Sequence, residues 1–186
     1  MSDPKESTLT KILNVFKGKI DEDLQALKRT RISFDLDEVL FVDPASFETE
    51  PPLNFPYNRM YPERLRKGTV NLIHTLQERG FEAWVYTSSY RTEHYIRSLF
   101  RNYGVQFDGI INMPRHLKEV QRDRKELLPQ KMPGFYRIAL HVDDEDVIHR
   151  YGRTLGFHTI KVCDPDPDWD QKVLDEAERV RALSEK

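Results

Sequence analysis

The sequence predicts an α/β protein built on a doubly wound parallel sheet with helices on both faces. Two observations carry that prediction. Short apolar runs recur between segments with helical periodicity, as in chains that alternate strand and helix. Polar residues suited to chemistry stand directly after several of those runs, where the ligand sites of such sheets lie. At 186 residues the chain has room for one domain of this kind and no large second one.

The elements follow in order. From Thr8 to Leu27, apolar residues return every three or four positions (Leu9, Ile12, Leu13, Phe16, Ile20, Leu24, Leu27), the pattern of one helix face. We read residues 1–29 as an N-terminal amphipathic helix, a candidate homodimer contact, and residues 30–186 as a single α/β domain. Arg31 to Asp35 reads as a strand. Pro44, Pro51, Pro52 and Pro56 forbid a regular helix over 41–60, so a long loop is expected there. A helix is expected from Pro62 to Arg79 with Gly80 as its stop, a strand over Phe81–Tyr86, and a helix over Thr92–Tyr103 ended by Gly104. A short strand at Phe107–Ile111 and a charged helical segment over 114–127 come next. Arg137–Val142 is the clearest strand, followed by a helix over 145–155, a strand at His158–Val162 and a last helix from Trp169 to Leu183.

Bulk composition narrows the function classes. With 29 basic and 31 acidic side chains the formal charge is −2, which gives no overall attraction to nucleic acid or to a membrane surface. Cys163 is the one cysteine, so an intramolecular disulfide and a multi-thiolate zinc site are excluded. No apolar run approaches a membrane span, and Met1 to Thr10 is too polar for a secretory signal. A cytoplasmic protein is expected.

Three positions after strands carry the chemistry. Asp35 and Asp37 follow the first strand, and in extended backbone residues two apart face the same way. Two carboxylates that close repel unless a cation sits between them, and a hard divalent ion bound through oxygen fits. After the second strand stand Thr87, Ser88 and Ser89, hydroxyls beside a helix start, where a phosphoryl oxygen is readily held. After the fourth come Asp143 and Asp144, then Glu145 and Asp146. Each has a plain structural reading as well. Acid pairs occur in surface turns, and hydroxyls and acids cap helices.

Taken together, Phe34-Asp35-Leu36-Asp37-Glu38-Val39, Val85-Tyr86-Thr87 and Leu140-His141-Val142-Asp143-Asp144 resemble, in order and in placement, the first, second and fourth motifs of the haloacid dehalogenase superfamily. The resemblance covers roughly residues 30–165. It implies a Rossmann-like core and a Mg2+-dependent phosphomonoester hydrolase acting on a phosphorylated substrate. Asp35 would be the nucleophile and Asp37 the general acid and base. Thr87, Ser88 and a lysine would bind the phosphoryl group. The magnesium would be held by Asp35, the backbone carbonyl of Asp37, and one or both of Asp143 and Asp144. Lys118, Lys125 and Lys131 are candidates for the lysine. Lys131 is preferred because Lys131-Met-Pro-Gly-Phe135 precedes the fourth strand directly, and Lys125 stands second in a charged run. The stretch from Lys131 to Trp169 is also similar to a group of small bacterial members of the superfamily.

Neither the interval from Asp37 to Thr87 nor that from Thr87 to Asp143 holds a full cap domain, so an open, capless site is expected. Aromatics of the proline-rich loop (Phe41, Phe47, Phe55, Tyr57, Tyr61) either form a partial lid or pack on the sheet. Glu38 reads as structural and His141 as a packing histidine. Arg91, Arg97, Arg101, Arg115, Lys118, Arg122, Arg124 and Lys125 read as a solvated face rather than a basic rim. Asp164, Asp166 and Asp168 read as a stiff turn, since Trp169 stands where a calcium loop needs glycine. Two other classes stay open: a binding or scaffold protein that kept the fold, and a phosphotransferase or nucleic-acid end phosphatase on the same site.

Overall fold

The computed structural model describes residues 29–123, 125 and 128–184. The expected N-terminal helix, save its last residue Arg29, lies outside these residues, as does the dimer contact assigned to it. Five parallel strands form one sheet: β1 (Arg31–Phe34), β2 (Glu82–Tyr86), β3 (Gly109–Ile111), β4 (Ile138–Asp143) and β5 (His158–Lys161). Helices α1 (Thr69–Glu78), α2 (Glu93–Asn102), α3 (Asp146–Leu155) and α4 (Trp169–Ser184) join and cover them. The strand order is β3-β2-β1-β4-β5. The chain therefore winds outward from β1 to β3 and returns on the other side of β1 as β4. Between β1 and β4 the winding direction reverses, and a crevice opens beyond the strand ends at such a point.

Pleating sorts the side chains between two cores. Ile32, Phe34, Ala83, Val85, Leu140 and Val142 meet Leu72 and Ile73 of α1, Leu99 and Phe100 of α2, and Val173 and Ala177 of α4 in the larger one. Tyr86, Ile111 and Ile138 join Val120 and Tyr136 in the smaller. Ile138 would fall with Leu140 if the pleat were regular. It does not, because the β1–β4 register steps from Arg31↔Ile138 to Ile32↔Leu140, leaving Ala139 as an extra residue. Each fully buried aliphatic or aromatic side chain in these cores contributes roughly 1.5–3 kcal/mol.

Two expected helices begin or run differently. The segment predicted as helix from Pro62 becomes helical only at Thr69. Before that, Leu65 pairs with Phe41 and Arg66 with Thr49 as antiparallel bridges, so the apolar Leu65 is buried by an extended strand rather than a helix face. Gly68 then turns the chain at φ +90°, and Glu50 Oε1 accepts the free N–H groups of Gly68 and Val70 at 3.0 and 3.2 Å. The proline-rich loop is thus tied at several points to the segment that leads into α1, and it holds one helical turn, Tyr57–Met60. The segment expected as helix over 114–127 is a turn, Met113–His116, that widens into a π-turn at Leu117–Gln121 and stops at Arg122 with φ +45°.

Gly109 on β3 faces Trp84 on β2. A Cβ there would lie 2.3 Å from Trp84 Cε3. The ring cannot retreat easily, since its Nε1 donates to Glu82 at 3.0 Å and the Arg31 guanidinium lies 4.6 Å over it. Gly109→Ala is expected to lower stability by about 1–3 kcal/mol, read from the urea midpoint, through overpacking of β3 on β2.

Candidate active site

The site is built where β1 and β4 end side by side. Phe34 pairs with Val85 and with Val142, and the Asp35 N–H donates to the Val142 carbonyl at 2.9 Å. Asp35, Thr87 and Asp143 therefore leave three neighbouring strands at one edge of the sheet. Asp35 is 5% exposed, Asp143 0% and Lys131 1%. Lys131 Nζ lies 2.7 Å from Asp35 Oδ2 and 2.6 Å from Asp143 Oδ2, so one buried ammonium bridges two buried carboxylates. Lys118 and Lys125 are exposed.

Each member of this bridge is held from behind. Leu36 N–H donates to Asp35 Oδ1 at 2.8 Å, and Glu145 N–H to Asp143 Oδ1 at 2.9 Å. His141, two residues before Asp143 and so on the same face of β4, donates from Nε2 to Asp143 Oδ2 at 2.8 Å, while its Nδ1 lies 2.7 Å from Ser33 Oγ on β1. His141 is thus buried and bonded, as a packing histidine would be, and it also fixes a site carboxylate. Next to Lys131, the Met132 N–H donates to the Tyr86 hydroxyl at 2.8 Å. That hydroxyl, its acceptor lone pair used, gives its proton to His116 Nδ1 at 2.6 Å. A hydrogen-bonded chain through β2 therefore sets where the lysine enters. Burial holds His116 below the ordinary imidazole value, which favours its acceptor role.

The electrostatics follow from this packing. Burial opposes the charged form of Asp143, but His141 and Lys131 outweigh it and hold the carboxyl far below the usual range. Burial likewise opposes charge on Lys131, and Asp35 and Asp143 reverse that and raise it. Asp144 is pushed up to about 6 by burial, helped by the nearby charges of Asp143 and Asp35. One carboxylate oxygen from each of Asp35, Asp143 and Asp144 lies within 4.8 Å of the other two. Three carboxylates share one ammonium here. A divalent cation bound by oxygens would cancel the surplus charge and relieve Asp144, so the donor set fits magnesium.

Asp37 stands apart from this cluster. Alternation would have turned its carboxylate toward the same point as Asp35, but the chain leaves extended geometry after Phe34 and turns through Glu38 at φ +61°. Its side chain is 54% exposed and pairs with Arg91 at 2.9 Å. Thr87 is buried and its hydroxyl accepts the Ser89 N–H at 3.1 Å, a turn that shapes the backbone after β2. Ser88 is half-buried. Of the loop aromatics, Phe41 stacks on Phe100 at 5.7 Å and Tyr61 packs edge-on against Tyr95 at 5.2 Å. Phe47 lies under the Arg66 guanidinium, and Phe55 and Tyr57 are exposed. Arg97 and Arg115 pair with Glu93 and Glu119 one helical turn away, as on a solvated face. Between Asp166 and Trp169 the turn is closed by Asp166 Oδ1 accepting the Asp168 N–H at 3.0 Å. No inserted domain lies over the site among the described residues.

No family model and no curated protein matches the sequence. Solved structures are similar to it in fold. One is an uncharacterized protein from Listeria monocytogenes serotype 4b, 19% identical with a TM-score of 0.49 over 81% of this chain and 99% of that one. A second is a predicted HAD-like family hydrolase from Porphyromonas gingivalis, 14% identical with a TM-score of 0.44 over 80% and 98%. A third is a HAD-superfamily hydrolase, subfamily IA, variant 1, from Geobacter sulfurreducens PCA, 16% identical with a TM-score of 0.48 over 75% and 92%. At these identities the likeness is one of fold. No helix among the described residues is long and apolar enough to cross a membrane.

Removing the shared ammonium leaves two buried carboxylates facing each other. Lys131→Met is expected to cost about 3–5 kcal/mol of stability with divalent cations chelated, measured by urea denaturation at neutral pH. An unchanged midpoint would mean that Lys131 does not hold the cluster together.

Proposed function

We propose that the chain is a phosphomonoester hydrolase working through an aspartyl-phosphate at Asp35. The observation that carries this reading is the buried Asp35–Lys131–Asp143 bridge at the mouth of the β1–β4 crevice. Burying two carboxylates and a lysine together, with a third carboxylate half-buried beside them, is a costly way to stabilise a fold, since apolar side chains of similar volume would serve at least as well. Such a group is better explained as a site for chemistry, and it weighs against a role as a scaffold alone.

In this reading an Asp35 carboxylate oxygen attacks phosphorus in line. A bond forms between Asp35 and phosphorus, and the ester oxygen leaves with a proton taken from Asp37. Asp37 then accepts a proton from water, which attacks the acyl phosphate, frees inorganic phosphate and restores the Asp35 carboxylate. Lys131 stays protonated throughout, and with the Thr87 hydroxyl and the nearby Ser88 it binds the equatorial oxygens where charge gathers. Asp35, Asp143 and Asp144, with the Asp37 carbonyl, would hold magnesium, which when bound supplies positive charge beside the phosphoryl oxygens. The open strand edge suits a phosphate carried on a large substrate.

Hydrolysis of 4-nitrophenyl phosphate tests the reading. Turnover is expected to require a divalent cation, to stop on chelation, and to fall about a thousandfold or more in Asp35→Asn. Equal rates in wild type and variant would remove Asp35 from the nucleophile's role.

A further inference from the structure

The Asp37 contact has more behind it than a surface ion pair. Arg91 Nη1 donates to Asp37 Oδ2 at 2.9 Å and lies 3.0 Å from Ser89 Oγ, while its Nε donates to Glu63 at 3.1 Å. Glu63 is largely buried, and its other oxygen accepts the Tyr95 hydroxyl at 2.6 Å. Tyr95 in turn packs edge-on against Tyr61. The Arg91 carbonyl accepts from Asn112 at 2.8 Å, and the guanidinium lies over the Phe41 ring at 5.3 Å. The arginine is therefore fixed by the proline-rich loop, by α2 and by the turn after β3. An exposed pair in which two long side chains must be ordered contributes little. Here the guanidinium is ordered already by other contacts, so the pairing acts on Asp37 alone.

From this geometry we infer that Arg91 is a positioning residue for Asp37, aimed by Glu63 and Tyr95. Arg91 takes Oδ2, and among the described residues no hydrogen bond takes Oδ1, which is left for proton transfer. The exposed aspartate on its turn is so confined to one rotamer. This inference rests on the hydrolase reading above, in which Asp37 gives the leaving oxygen its proton.

The test compares kcat/KM for two esters, because kcat/KM reports the step in which the leaving group departs. Nitrophenolate leaves without a proton, whereas the alkoxide of an alkyl phosphate must be protonated as it goes. Arg91→Met is expected to lower kcat/KM on an alkyl phosphate by about ten- to a hundredfold, and on 4-nitrophenyl phosphate by several-fold less. Asp37→Asn is expected to show the same bias, and the double variant to be no worse than Asp37→Asn alone, as for two groups acting as one. Glu63→Gln and Arg91→Lys, which keep most of the packing, are expected to show the bias more weakly and carry the test if Arg91→Met does not fold. Equal losses on both esters, or losses that multiply in the double variant, would overturn the positioning role. Wild-type protein that turns over neither ester would overturn the hydrolase reading and this inference with it.

Discussion

One buried ammonium between two buried carboxylates is the contact on which the rest of the site depends. Lys131 meets Asp35 at the end of β1 and Asp143 at the end of β4, and so ties together the two strands between which the winding of the sheet reverses. Without it the strand ends would bring like charges together in a place that water hardly reaches, where their repulsion is weakly screened. With it, the cluster still carries more negative than positive charge, and that surplus adds to burial in raising Asp144. The bridge thus holds the strand ends together, and the proposed magnesium would offset the negative charge that remains.

Keeping that lysine in place involves much of the smaller core. The Met132–Tyr86–His116 chain fixes the segment beside it to β2 and to the turn after β3. The Ser33–His141–Asp143 contacts fix the carboxylate it meets, across the β1–β4 pair. Both chains lie on the strand face that also carries Trp84 and Tyr86, and the extra residue at Ala139 turns Ile138 to this side to complete it. The other face supplies the apolar burial. The two faces are unequal in kind: one stabilises the fold, and the other trades some of that burial for polar groups that aim the site.

Much of this was legible in the sequence. The apolar runs Ile32–Phe34, Ala83–Tyr86 and Leu140–Val142 marked the strands in order, and residues directly after them supply Asp35, Thr87 and Asp143. Lys131 could be preferred among three lysines because it precedes β4, though only the folded chain brings it to Asp35. Other features were not legible because they depend on contacts distant in sequence. Leu65 fits a helical period as well as a strand, and it is pairing with Phe41 that decides. His141 looks the same whether it packs passively or fixes Asp143. Arg91 is one of many basic residues, and nothing local distinguishes it until Glu63, 28 positions earlier, is seen to aim it at Asp37. A signal was available in one case: His141 and Asp143 are two apart in a strand and so must share a face.

In the proposed reaction Asp35 takes up a phosphoryl group beside Lys131. The most direct measurement is a crystal structure of the protein soaked with magnesium and beryllofluoride, which mimics a phosphoryl group on a carboxylate. Beryllium is expected bonded to an Asp35 oxygen, with fluorines contacting Lys131 and Thr87 and the cation held by Asp35, Asp143 and Asp144. A bare Asp35, with magnesium bound elsewhere or not at all, would contradict it.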